Sequence, residues 1–125
     1  MTEKKLFVNP DIETHRELAM WAATCAEHTL YLFERTHPDD NRPKLALGAL
    51  REWALGDRTM VSCREAAFAA HAAARAAQEP AAKAAARATG QAASVPHMYT
   101  HCSVSAEYAV IATAQSVSKE LSEGA

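Results

Sequence analysis

Apolar residues along this chain recur at spacings of three and four, which is the period of an α-helix. A first helix is predicted from about residue 11 to residue 35, and Asn9 followed by Pro10 supplies a cap and a first-turn residue. A second helix is predicted from about residue 42 to residue 55, because Gly56 is a natural helix stop. The apolar stripe of the first predicted helix consists of Leu18, Trp21, Ala22, Cys25, Thr29, Leu32 and Phe33.

The segment from residue 64 to residue 93 is more than half alanine, yet its polar residues are not scattered. They fall on two stripes with steps of three or four residues, which predicts a third and a fourth helix joined at Glu79 and Pro80. The alanine faces predict close packing, since short side chains cannot fill wide gaps between helices. The first stripe contains Arg64, Phe68, His71, Arg75 and Gln78, and the second contains Lys83, Arg87, Gln91 and Ser94.

The rest of the chain predicts one more helix. Val95 and Pro96 end or kink the fourth helix, and the last helix is predicted from about residue 100 to residue 121. No segment alternates with the period of two that is typical of a strand. We therefore predict an all-α fold, a single-domain bundle of about five helices over residues 11–121 with alanine-rich close packing. Residues 1–10 and 122–125 are predicted to be tails.

The composition and net charge of the chain argue against several classes of function. A net charge of −2 and a pI of about 6.3 argue against nucleic-acid binding, which requires a concentrated positive field. No apolar run approaches the ~20 residues of a membrane span, and the first residues do not form a signal peptide. Three widely spaced cysteines favour reduced thiols and a cytoplasmic location. Glycine-rich phosphate loops are absent, and no cofactor is predicted.

Histidine spacing offers the clearest candidate chemistry. His97 and His101 are four residues apart, a spacing that can hold a metal on one helical face, and His71 is a candidate third ligand. A hydrogen-bonded histidine cluster is the favoured alternative, because neutral imidazole can join helices by satisfying two partners. Arg75 either pairs with an acid across the bundle or remains solvated. Catalysis by Cys25 is disfavoured, since it lies on the predicted apolar stripe and cysteine there usually behaves as a small hydrophobe.

Charged residues also cluster in the loop after the first predicted helix. Asp39, Asp40 and Arg42 lie there, and helix capping with surface ion pairs accounts for them. The functional alternative is a small charged epitope for a protein partner.

Several blocks of the chain, in the right order, resemble a bacterial family of putative immunity proteins, the immunity-five-like domains of polymorphic toxin systems. The resemblance is carried by "ETHRELAMWAATCAEHTLYLFE" at residues 13–34, which includes His15 and Arg16, and by the acidic loop "HPDDNRP". It continues through "AAHAAAR" and "ARATGQAA" to His97 and His101. Together with the spacing of the histidines, it gives the polar-cluster candidates, which are His15, Arg16, His71, Arg75, His97 and His101.

The resemblance implies a non-catalytic protein that binds and neutralises a cognate bacterial toxin, so no catalytic residue is predicted. The loop residues Asp39, Asp40 and Arg42 are then candidates for contacting the toxin. Two alternatives stay open. One is a metal-binding or enzymatic bundle that uses His71, His97 and His101. The other is a structural module that forms homo-oligomers through its alanine faces.

Overall fold

The computed structural model describes residues 9–124, and within that range the chain forms five α-helices and no strand. They are α1 (Ile12–Glu34), α2 (Arg42–Ala54), α3 (Met60–Ala76), α4 (Pro80–Ala93) and α5 (His101–Gly124). The predicted all-α bundle is confirmed. Residues 1–8 of the predicted N-terminal tail and Ala125 lie outside the described residues. Helix α5 continues through most of the predicted C-terminal tail.

Local side-chain chemistry accounts for several helix boundaries. Asp11 is the N-cap of α1, and its carboxylate accepts a 2.8 Å hydrogen bond from the Thr14 amide. The cap is therefore not Asn9, because the Asp11 side chain is the one that reaches a free amide of the first turn. Thr59 caps α3 in the same way through the Ser62 amide. Gly56 follows α2 with a φ of +85°, a conformation that side chains disfavour.

Helix α4 lies at the centre of the bundle. Its Cα atoms come within 8 Å of those of each of the other four helices. Ten of its fourteen residues are buried, and eight of these are alanine. Small side chains allow several helices to approach one axis closely, toward the lower end of the roughly 8–10 Å range of interaxial distances. The alanine-rich composition is therefore what a central helix with four neighbours requires.

The bundle is open on one side of α4. Helices α3 and α5 both pack on α4, but no Cα of one lies within 8 Å of a Cα of the other. Beyond its first residue, α4 has only three residues that are not buried, namely Lys83, Arg87 and Gln91. They face the gap, because Arg87 bonds to α3 and Gln91 bonds to α5. We call this surface the open face, defined by Lys83, Arg87 and Gln91 of α4, the stripe Arg64, Phe68, His71 and Arg75 of α3, and His101 of α5.

The buried side of α1 matches its predicted stripe in part. Ala22, Thr29, Leu32 and Phe33 are buried as predicted, together with Ala19, Ala23, Ala26 and Leu30. Trp21 is 49% exposed, so its predicted place in the core is wrong. Helix α1 turns its alanine side toward the central helix because an indole would hold the two helices apart. None of the helices between residues 9 and 124 is long and apolar enough to cross a membrane.

Candidate functional site

His71 lies flat against the backbone of the central helix at Gly90. A Cβ atom at position 90 would stand 2.5 Å from the imidazole Cε1 and 2.6 Å from Nε2. Carbon atoms in contact normally keep about 3.5–4.0 Å apart. Glycine is therefore required at this position for the ring to reach α4, and the contact leaves His71 partly buried.

Arg87 is held in place by the same imidazole. Its Nη1–H donates a 2.9 Å hydrogen bond to His71 Nδ1. A guanidinium has donors only, so Nδ1 accepts and the proton of the neutral ring lies on Nε2. Burial, together with the charges of Arg87 and Arg75, lowers the pKa of His71 to about 4. The imidazole is therefore neutral at pH 7.

A second polar contact ties the central helix to α5. His101 Nδ1–H donates a 2.6 Å hydrogen bond to Gln91 Oε1. Burial lowers the pKa of His101, and the neighbouring His97 lowers it further. The two histidines thus contact α4 from its two neighbours, His71 of α3 as an acceptor from Arg87 and His101 of α5 as a donor to Gln91.

Positive charge accumulates on the open face without compensation. Of the eleven lysines and arginines in the described range, five form ion pairs: Arg35, Arg42, Arg51, Arg58 and Lys119. Four of the remaining six lie on the open face, and none has a carboxylate of residues 9–124 within 4 Å: Arg64, Arg75, Lys83 and Arg87. The face is therefore strongly cationic on a protein whose net charge is −2.

The other polar-cluster candidates lie at one end of the bundle. His15 Nε2–H donates a 2.6 Å hydrogen bond to the carbonyl of Val95, and its ring meets Trp53 edge-on at 4.9 Å between centroids. His15 and His97 line a small pocket of about 120 Å³. Arg16 Nε is buried and has no hydrogen-bond partner among residues 9–124. The structure thus brings His15 and His97 together at one pocket, and no side-chain hydrogen bond among residues 9–124 joins them to His71 or Arg87.

Metal binding is not supported by any cluster of potential ligands among residues 9–124. In the part of the chain that the structure describes, no three His, Cys, Asp or Glu side chains come together closely enough to hold an ion. His71 and His101 are each engaged in the hydrogen bonds above, and His97 is exposed. Nucleophilic chemistry at Cys25 is also disfavoured, because burial raises the pKa of its thiol and so opposes the nucleophilic thiolate.

Two charged residues of the acidic loop, Asp40 and Arg42, bond to each other within the loop. Arg42 donates from Nε and Nη2 to the two carboxylate oxygens of Asp40, at 2.9 and 2.7 Å. Asp40 also accepts a 3.1 Å hydrogen bond from the Arg42 amide at the start of α2. These hydrogen bonds lower the pKa of Asp40. Of the three predicted partner contacts, only Asp39 is an exposed residue without such a bond among the described residues.

A comparison with protein families assigns the chain. The model of the family described as Imm-5 like putative immunity protein matches residues 10–123. The chain belongs to this family. The resemblance found in the sequence is therefore confirmed over nearly the whole length of this immunity-family protein. No curated protein and no solved structure matches it.

The periodicity of the immunity-family chain predicts that Arg87 and Gln91 lie on a polar stripe but does not distinguish them from its other residues. It also missed Gly90, although a glycine inside an alanine-rich helix is itself a signal, since it costs about 1 kcal/mol of helix stability relative to alanine. Such a residue marks a close approach by another group, here the His71 ring.

The stability of the immunity-family protein is expected to fall by about 2 kcal/mol between pH 7 and pH 4.5 through His71. The unfolded imidazole titrates near 6.5 and the folded one near 4, so only the unfolded chain binds a proton in that window. The contribution of His71 to the free energy of unfolding is complete above pH 6.5 and is lost as the pH falls toward 4. Urea unfolding of wild type and His71→Asn measures it, because asparagine keeps an acceptor but cannot titrate. Equal pH slopes in the two proteins would contradict this assignment.

Proposed function

We propose that this chain is an immunity protein that protects its cell by binding and neutralising a cognate protein toxin. The match to the immunity family over residues 10–123 is the observation that carries this proposal. A protein of this kind acts as a tight inhibitor, which covers the active site or another essential surface of the toxin. It performs no reaction of its own, and we place its action in the cytoplasm.

The architecture supports a role in recognition. Side chains on the open face are presented by three helices rather than by loops, and packed helices position groups more accurately than loops do. The hydrogen bonds of His71 and His101 attach both flanking helices to the central one. A surface fixed before binding loses less entropy when the complex forms.

Co-expression with the toxin encoded beside the gene for this chain tests the proposal. Cells that carry the toxin domain alone are expected to stop growing, and cells that also carry this chain are expected to grow. The purified proteins are expected to elute together as a stoichiometric complex. A toxin from a different toxin and immunity pair is the control, and the chain should give no protection against it. Unrelieved toxicity of the cognate toxin would overturn the proposal.

A further inference from the structure

We infer that the open face is the surface that binds the toxin, and that it takes a carboxylate-rich segment of that protein. This inference rests on the function proposed above and adds to it the location of the surface and the chemistry of the partner. It differs from the sequence-based expectation, which pointed to the loop of Asp39, Asp40 and Arg42.

The distribution of ion pairs distinguishes the open face from the rest of the molecule. Elsewhere most cations already have a carboxylate, as Arg51 has Glu27 at 2.9 Å and Arg58 has Glu52 at 3.3 Å. On the open face four cations from two neighbouring helices have none within residues 9–124. Like charges gathered on one surface repel each other, so an acidic partner relieves a repulsion as well as gaining attraction.

The hydrogen bond between Arg87 and His71 shows how this face keeps its charge available. Arg42 is oriented by Asp40, and that carboxylate neutralises it. Arg87 is oriented by a neutral imidazole, so its position is fixed while its positive charge remains free. The planar guanidinium matches a carboxylate in a two-pronged arrangement. An arginine held in this way is prepared for an acidic group from outside the molecule.

Apolar surface beside these charges favours a protein partner over a nucleic acid. Phe68 is 60% exposed, and the Arg64 guanidinium lies over its ring at 5.5 Å from the centroid. An exposed aromatic side chain beside arginine is typical of protein interfaces. A net charge of −2 disfavours the binding of a nucleic acid, because its backbone carries a long row of negatively charged phosphates.

The acidic chemistry can be tested without the toxin. A fluorescein-labelled decaglutamate peptide is titrated into the ¹⁵N-labelled full chain at low salt, with amide shifts recorded. The expected result is that shifts concentrate at residues 64–91 and around His101, and that added salt reverses them. Shifts spread evenly over the surface, including the exposed and unpaired Lys44, would overturn the acidic specificity of the face.

Two matched charge reversals test the surface against the toxin itself. Lys83→Glu lies on the open face and Lys44→Glu lies on α2, and both residues are exposed and form no ion pair within residues 9–124. Each variant alters the net charge identically. Lys83→Glu is expected to raise the Kd for the neighbouring toxin domain at least tenfold, while Lys44→Glu changes it less than twofold. Lys83→Arg should retain binding, and melting curves of all three should match wild type.

The outcomes separate the two proposals. Equal affinity of wild type and Lys83→Glu for the toxin would overturn this surface and leave the immunity function standing. No binding by wild type would overturn the immunity function, whereas the decaglutamate titration would still report on the chemistry of the face. Tight binding of a 20-base-pair DNA duplex that Lys83→Glu abolishes would overturn the choice of a protein partner.

Discussion

Ala85→Leu is expected to lower the free energy of unfolding by about 3 kcal/mol, at the upper end of the usual cost of overpacking a core. Ala85 is fully buried in α4, on the side opposite the open face, in a core cluster that includes Leu32 and Phe33 of α1. A leucine there adds three carbon atoms where neighbouring helices already lie close. The loss should appear as a fall of roughly 10 °C in Tm, measured by circular dichroism.

The matched control for this change lies two residues earlier in the same helix. Lys83→Leu introduces the same side chain at an exposed position of α4. Its effect on unfolding is expected to stay within about 0.5 kcal/mol, as for ordinary surface substitutions. Similar losses in the two variants would show that α4 is not the central helix of the bundle.

Gly90→Ala and His71→Ala are expected to be coupled by about 2 kcal/mol, within the range measured for residues in direct contact. In wild type, the new methyl group collides with the imidazole, so Gly90→Ala should destabilise the protein by about 1 kcal/mol after its gain in helix propensity. The His71→Ala variant lacks the imidazole ring with which the new methyl group would collide. The same change should then stabilise the protein by about 1 kcal/mol.

Urea unfolding of the four proteins in this cycle measures the coupling. Gly48→Ala is the control, because an added Cβ there meets no atom within 4 Å and the residue lies inside α2. It should stabilise the protein by about 0.5–1 kcal/mol in either background. If Gly90→Ala stabilises wild type as much as it stabilises His71→Ala, the ring does not lie against the central helix.

The five helices were predictable because each depends on residues close together in sequence. Glu79 and Pro80 start α4 as expected, and Gly56 follows α2 as expected. The family was also recognisable from the order of its blocks. The buried side of α1 was predictable only in part, because Ala22, Thr29, Leu32 and Phe33 are buried as expected but Trp21 is not. Alanine, cysteine and tryptophan are all acceptable on an apolar stripe, and only the approach of α4 selects the alanine side over Trp21.

A helical period of 3.6 residues is enough to place the polar residues of the alanine-rich segment on two stripes, and this can be read from the sequence. The period does not show that the two stripes meet. They meet because the packing of the helices places α4 among four neighbours and leaves it uncovered between α3 and α5. That arrangement brings His71 onto Gly90 and against Arg87. Burial and charge at such a site depend on distances between helices, which local periodicity does not contain.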